Sequence, residues 1–294
     1  MIDLKKIEII KNRKGFIAAL DQSGGSSTKT LINYGYSNKD ITSKDVMFDL
    51  IHEFRLRVIN NNNFNSNYII GTILFEKTAR SIINNKYISN YLWEDKKIIS
   101  FLKIDNGLDE LKNGVKLMKD IDNLEDKLKL CNELNIFGTK MRSVIYEYNK
   151  EGIASIVKQQ FEVARLIAKY DLVPIIEPEV DINAKDRDKI EKYLKECIKE
   201  ELKTFNDLLI FKLSLPCIDN FYLDLYEYKN VLKIVALSGG YKLDDACNIL
   251  KRNNKVCASF SRAFLSELKY NQTDNEFSNI LLANINKIYD ASIT

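Results

Sequence analysis

Eight short apolar runs punctuate this chain, with segments of helical period between them. The runs are Gly15 to Leu20, Tyr68 to Phe75, Ile98 to Ile104, Ile136 to Met141, Leu172 to Ile176, Leu208 to Leu213, Val231 to Leu237 and Val256 to Phe260. They are often β-branched, and most end in a polar or glycine turn. Strands buried on both faces of a parallel sheet read this way. Ile153, Val157, Phe161, Ala164 and Ala168 form one helical stripe, and Ile190, Tyr193, Leu194, Cys197 and Ile198 form another. Strand alternating with helix predicts an α/β fold with parallel strands. Eight repeats within roughly 250 residues favour the closed (β/α)8 TIM barrel. No linker or composition shift divides the chain, so residues 1–294 are expected to form a single barrel domain. The rival open sheet would carry a G-x-G-x-x-G turn after its first strand, and none is present.

Composition removes several functional classes. A net charge of +3 with no basic stripe gives no case for nucleic acid. Cys131, Cys197, Cys217, Cys247 and Cys257 form no C-x-x-C pair, so neither zinc nor a disulfide framework is expected. The single histidine, His52, rules out multi-imidazole zinc chemistry. It lies beside the stripe Met47, Leu50, Ile51, Phe54, Val58, and reads as a solvated surface residue. Met1 to Lys14 has no apolar signal core and no segment approaches a membrane span. A cytoplasmic, reduced protein is the expectation. The sequence leaves the oligomeric state open, a homo-oligomer included.

Most of the predicted strands finish in a charged residue or a glycine turn. In order they give Asp21 with Ser23-Gly24-Gly25-Ser26, Glu76, Lys103, Lys140 with Arg142, Glu177 with Glu179, Lys212, Ser238-Gly239-Gly240, and Arg262. Barrel enzymes place their chemistry at this end of the strands. Strand residues two apart share a face. Lys212 then continues the row of Leu208 and Ile210, Asp21 that of Ile17 and Ala19, Ser238 that of Ile234 and Ala236, and Arg262 that of Ala258 and Phe260. A lysine in so apolar a run as Leu208 to Pro216 is a candidate nucleophile, because desolvation and a second cation, Lys140, disfavour the ammonium form. Asp21, Glu177 and Glu179 could orient the amines and move protons. Ser238, Gly239 and Arg262 form one candidate anion site; Ser23, Ser26 and Lys103 form another. Two anion sites flanking a lysine point to a substrate phosphorylated at both ends. Glu76 reads as an ion-pair member of the lysine cluster.

These segments resemble class I fructose-1,6-bisphosphate aldolases of the compact bacterial kind. The resemblance rests on Phe16 to Ser26, Gly71 to Glu76, Phe101 to Asp105, Gly138 to Arg142, Pro174 to Glu179 (P-I-I-E-P-E), Ile210 to Leu213, Leu237 to Gly240 (L-S-G-G) and Ala258 to Ala263, in order over nearly the whole chain. It implies a Schiff base at Lys212, with Glu177 as acid/base and Glu179 holding the lysine network. It further implies that Lys140 depresses the amine pKa and that Asp21 takes the C4 hydroxyl proton. Ser238, Gly239 and Arg262 would hold the phosphate nearer the ketone, and Ser23, Ser26 and Lys103 the distal one, with Arg142 at the mouth. The expected reaction is reversible cleavage to dihydroxyacetone phosphate and glyceraldehyde 3-phosphate, with no cofactor and no metal. Animal relatives end in a mobile tyrosine that has no counterpart in Ala291-Ser292-Ile293-Thr294. Another Schiff-base aldolase, a phosphosugar isomerase using Glu177 without a covalent step, and a non-enzymatic binding barrel remain alternatives at this point.

Overall fold

The computed structural model describes residues 2–294. Met1, which begins the segment read for a signal core, lies outside them. Helix α1 (Leu4–Asn12) is capped by Asp3, whose carboxylate accepts from the Lys5 and Lys6 amides. The eight parallel barrel strands among the described residues are β1 (Phe16–Leu20), β2 (Ile69–Leu74), β3 (Ile99–Lys103), β4 (Gly138–Ile145), β5 (Val173–Val180), β6 (Leu209–Ser214), β7 (Val231–Leu237) and β8 (Val256–Ala258). Each pairs in parallel with the next. The Ala19 amide donates to the Phe260 carbonyl at 3.3 Å, bringing β1 to the end of β8 and nearly closing the barrel. The outer layer is α2 (Gly25–Tyr34), α3 (Lys44–Asn60), α4 (Glu76–Ala79), α5 (Ile88–Glu94), α6 (Leu124–Glu133), α7 (Lys150–Ala168), α8 (Arg187–Leu202), α9 (Leu243–Leu250) and α10 (Asp274–Ser292). No described helix is long and apolar enough to cross a membrane.

Strand alternation splits the apolar core in two. Ile17, Ala19, Ile73, Ile99, Phe101, Val173, Ile175, Ile210, Val235 and Cys257 fill the barrel, joined by Ile10 of α1. Ala18, Leu74, Leu102, Met141, Ile176, Phe211, Ile234 and Ala258 face the helices. Each larger side chain so buried contributes about 1.5–3 kcal/mol. Gly138 lets β4 and β5 approach, since a Cβ there would sit 2.0 Å from the Val173 carbonyl oxygen.

β4 and β5 extend past their apolar runs. Their register continues through Arg142↔Glu177, Ser143↔Pro178 and Val144↔Glu179. The pairing of β5 with β6, by contrast, covers Ile175↔Ile210 and Ile176↔Phe211. Pro178 has no N–H to offer the ladder. Side chains satisfy the backbone there instead: the Glu177 amide donates to Gln160 Oε1 at 2.9 Å and the Val180 amide to Ser214 Oγ at 2.9 Å. The sheet therefore parts beside Glu177 and Lys212.

Candidate active site

A cavity of about 600 Å³ opens where the strands end. Its lining contains the twelve residues expected from the sequence to act in catalysis or phosphate binding: Lys212, Glu177, Lys140, Asp21, Glu179, Ser238, Gly239, Arg262, Ser23, Ser26, Lys103 and Arg142. Strand parity places some of them. Asp21 stands above Ile17 and Ala19, Lys103 above Ile99 and Phe101, Glu177 above Val173 and Ile175, and Lys212 above Ile210, all interior residues. Parity fails for Ser238 and Arg262. Ile234, Ala236, Ala258 and Phe260 face the helices, not the barrel. β7 ends at Leu237 and β8 at Ala258, so both residues reach the cavity from turns, where alternation no longer applies.

The floor is a buried charge network. Lys212 Nζ lies 3.3 Å from Glu177 Oε1. Lys140 Nζ lies 2.5 Å from Glu177 Oε2, in ion-pair contact without hydrogen-bond alignment, and 3.0 Å from Asp21 Oδ2. Burial opposes the Lys140 charge, but Asp21, Glu177 and Asp105 outweigh it and raise its pKa. Burial likewise opposes the Asp21 charge, and Lys140 and Lys212 reverse that, driving its pKa well below the usual carboxylate range. From the sequence, Lys140 and Lys212 each disfavour the other's ammonium form; flanked by two carboxylates, Lys140 is instead held as ammonium, the cation that its implied role beside Lys212 requires. Glu179 also differs from expectation. Its Oε2 accepts from Arg142 Nη1 at 3.0 Å, so it holds the arginine and not the lysines. Burial raises the Glu179 pKa, with Arg142 opposing and Glu177 reinforcing the rise.

The rim carries hydrogen-bonding groups and cations on two sides. After β1, the Ser23 amide donates to Ser26 Oγ at 3.0 Å, and that hydroxyl donates to the Ser23 carbonyl at 2.8 Å. α2 starts here with no side-chain cap, so its N-terminal end faces the cavity. Lys103 Nζ donates to Asp105 Oδ1 and to the Asp105 carbonyl, each at 2.6 Å. Burial lowers the Lys103 pKa, and Asp105 partly restores it. After β7, Ser238 to Tyr241 make a tight turn with φ of +60° at Gly239 and +119° at Gly240. The exposed Arg262 guanidinium has no hydrogen-bond or ion-pair partner among the described residues.

Two further readings change. Glu76 is not in the lysine cluster. β2 ends at Leu74 and the chain turns into α4, so Glu76 points outward and accepts from Arg80 Nε at 2.8 Å. His52 is half-buried, with Nδ1 3.2 Å from Thr78 Oγ1 and Nε2 3.1 Å from Ser81 Oγ; it ties α3 to the α4 segment. Sequence reasoning missed Gln22, Lys44, Asp105 and Ser259, all in the cavity lining. Asp105 was readable, two residues beyond Lys103 in an already notable segment. Arg55 beneath the site was also missed, although a charge between Phe54 and Val58 on the buried stripe of α3 is a visible anomaly. Burial pushes the Arg55 pKa down to about 10, with Asp21 opposing.

A sequence model of the family "Fructose-bisphosphate aldolase class-I" matches residues 3–211. The chain belongs to this family. It is 52% identical over 287 residues to the fructose-bisphosphate aldolase class 1 of Clostridium acetobutylicum, covering 97% of each chain. Among solved structures it resembles the fructose-bisphosphate aldolase of Plasmodium falciparum, with a TM-score of 0.74 at 17% identity over 99% of this chain and 96% of that one. An archaeal fructose 1,6-bisphosphate aldolase superposes with a TM-score of 0.56 at 13% identity, over 97% and 98% of the two chains. Both likenesses speak to the fold, and they agree with the barrel expected for the family.

Proposed function

We infer that this chain catalyses the reversible aldol cleavage of fructose 1,6-bisphosphate through a Schiff base on Lys212. It would act as one catalytic domain over residues 1–294, in the cytoplasm, without metal or other cofactor. The observation that carries the assignment of the nucleophile is the Lys212 amine at 3.3 Å from Glu177 Oε1, on the floor of a cavity with hydrogen-bonding groups and cations on two sides.

The chemistry follows from the layout. The Lys212 ammonium passes a proton to Glu177, 3.3 Å away, and the resulting neutral amine adds to the C2 carbonyl, giving a carbinolamine. Glu177 donates a proton to its hydroxyl, which leaves as water, and a protonated iminium remains. The C3–C4 bond then breaks: its electron pair moves into the iminium to give an enamine, and the C4 hydroxyl proton passes to a carboxylate as the aldehyde forms. Asp21 is that acceptor in our reading. Its depressed pKa means that Lys140 must loosen from it as the proton arrives. Protonation of the enamine and hydrolysis release dihydroxyacetone phosphate and restore the amine. The iminium is the electron sink, so no Lewis acid is required. Ser238, Gly239 and Arg262 hold the phosphate on the ketone side; Ser23, Ser26 and Lys103 hold the distal one. Glu179 keeps Arg142 extended at the mouth.

Borohydride reduction in the presence of dihydroxyacetone phosphate, followed by peptide mass spectrometry, tests this directly. The expected product is a single adduct on the peptide containing Lys212. An active, unmodified enzyme would favour an enolising route and exclude the Schiff base.

A further inference from the structure

Gln22 lies between Asp21 and Ser23, beside the seam where β1 meets the end of β8 without strand pairing. Its Nε2 donates across that seam to Ser261 Oγ at 2.8 Å, next to Arg262, and also to the Ala19 carbonyl at 3.2 Å. One side chain thus ties the loop carrying Ser23 and Ser26 to the loop carrying Arg262.

Arg55 sets the direction of that amide. Its Nε donates to Gln22 Oε1 at 3.4 Å, its Nη2 donates to the Gln22 carbonyl, and its Nη1 donates to Thr78 Oγ1 at 3.4 Å. The Phe75 ring lies 5.3 Å from the guanidinium carbon. Arg55 is 1% exposed, yet no carboxylate among the described residues pairs with it. A buried cation with no carboxylate in ion-pair contact is costly even with Asp21 nearby, and an apolar residue would pack there more cheaply. What the guanidinium adds is a rigid, donor-only fork. Gln22 must turn Oε1 towards Arg55, which leaves its NH2 to face Ser261 and Ala19.

We propose that Gln22, oriented by Arg55 and bonded to Ser261, is a positioning residue that fixes the spacing between the two anion sites and so selects ketoses phosphorylated at both ends. This rests on the reading that each site holds one phosphate. The two loops flank an unpaired seam, so cutting the tie lets one move relative to the other. A substrate that touches only the ketone-side site tolerates the shift. A bisphosphate must satisfy both sites while its C2 stays over Lys212, and it does not.

The test compares kcat/KM for fructose 1,6-bisphosphate and fructose 1-phosphate in Ser261→Ala and Gln22→Leu. The ratio between the two substrates should fall by about tenfold or more, chiefly through KM for the bisphosphate, since small misplacements carry large penalties. Ser261→Thr keeps the hydroxyl and should keep the ratio; a purely structural role would not separate Ala from Thr in this way. Should Gln22→Leu fold poorly, Ser261→Ala decides, because Ser261 is only half-buried. An unchanged ratio in Ser261→Ala, equal losses on both substrates, or a threonine variant as unselective as alanine would overturn the proposal. The wild-type ratio separates the levels. Variants that keep a wild-type preference for the bisphosphate remove this inference alone, whereas a wild-type enzyme with no such preference removes the two-phosphate reading beneath it.

Discussion

Lys140→Met tests the charge network most sharply, because methionine nearly matches the lysine stem and removes only the ammonium. The pairs at 3.0 Å to Asp21 and 2.5 Å to Glu177 are almost dry, with side-chain exposures of 5%, 7% and 4% for Lys140, Asp21 and Glu177. At an effective dielectric of about 20 they represent roughly 5 and 7 kcal/mol of gross attraction, most of it offset by desolvation. Glu177 keeps Lys212 at 3.3 Å, so Asp21 is the carboxylate left without a close partner. Stranding one buried charge costs about 3–5 kcal/mol. For a chain of 294 residues that corresponds to a fall in Tm of about 5–8 °C at pH 7.5. The pH dependence fixes the cause. In the wild type Asp21 has a depressed folded pKa, so its stabilisation is complete above the unfolded value near 3.8 and constant between pH 5 and 7.5. In the variant burial is opposed only by the more distant Lys212 and Lys103, and the folded pKa should rise above the unfolded one. The destabilisation is then full above the raised pKa and shrinks as pH falls through it, because the neutral acid accepts burial. Melts followed by circular dichroism should therefore show a smaller gap at pH 5 than at pH 7.5. A gap under about 2 °C, or one independent of pH, would refute this account of the network. Turnover should fall by at least about 100-fold as proton handling is lost.

Other outcomes follow from single residues. Lys212→Arg should give neither turnover nor a borohydride adduct, since guanidinium stays protonated and does not attack a carbonyl; any adduct on that variant would relocate the nucleophile. Arg262→Ala should raise KM for the bisphosphate by about tenfold or more with little change in melting temperature, because it deletes a free, exposed cation and no internal partner; steady-state kinetics showing an unchanged KM would remove it from the phosphate site. Gly239→Ala should weaken binding on the ketone side. Its φ is +60°, and a Cβ there would lie 2.5 Å from Ile182 Cγ2, so the turn must shift. Wild-type affinity for dihydroxyacetone phosphate by calorimetry would show that the turn does not bind it.

What could be read from the sequence depended on whether backbone geometry carried the side chain to the site. Lys212, Asp21, Lys103 and Glu177 follow strands whose interior rows have a period of two, so their direction is implied by Ile210, Ala19, Phe101 and Ile175. Ser238 and Arg262 came to the cavity for a different reason than parity gave. Their strands had already ended, and turns whose geometry depends on packing delivered them. Charge states were less legible still. Two lysines on β4 and β6 look mutually repulsive until the distances show Lys140 held by Asp21 and Glu177. Repulsion between lysines and attraction to carboxylates both follow from the same residue list, and only separations decide which prevails. Glu76 illustrates the converse: two residues past the end of β2 a helix begins, and the change of period from 2 to 3.6 carries its carboxylate out to Arg80. Arg55 belongs to neither group. It is a charge on a buried helical stripe, and the stripe alone marks it as unusual. What it does depends on Gln22, 33 residues away, whose amide has two chemically distinct ends that a donor-only partner must tell apart.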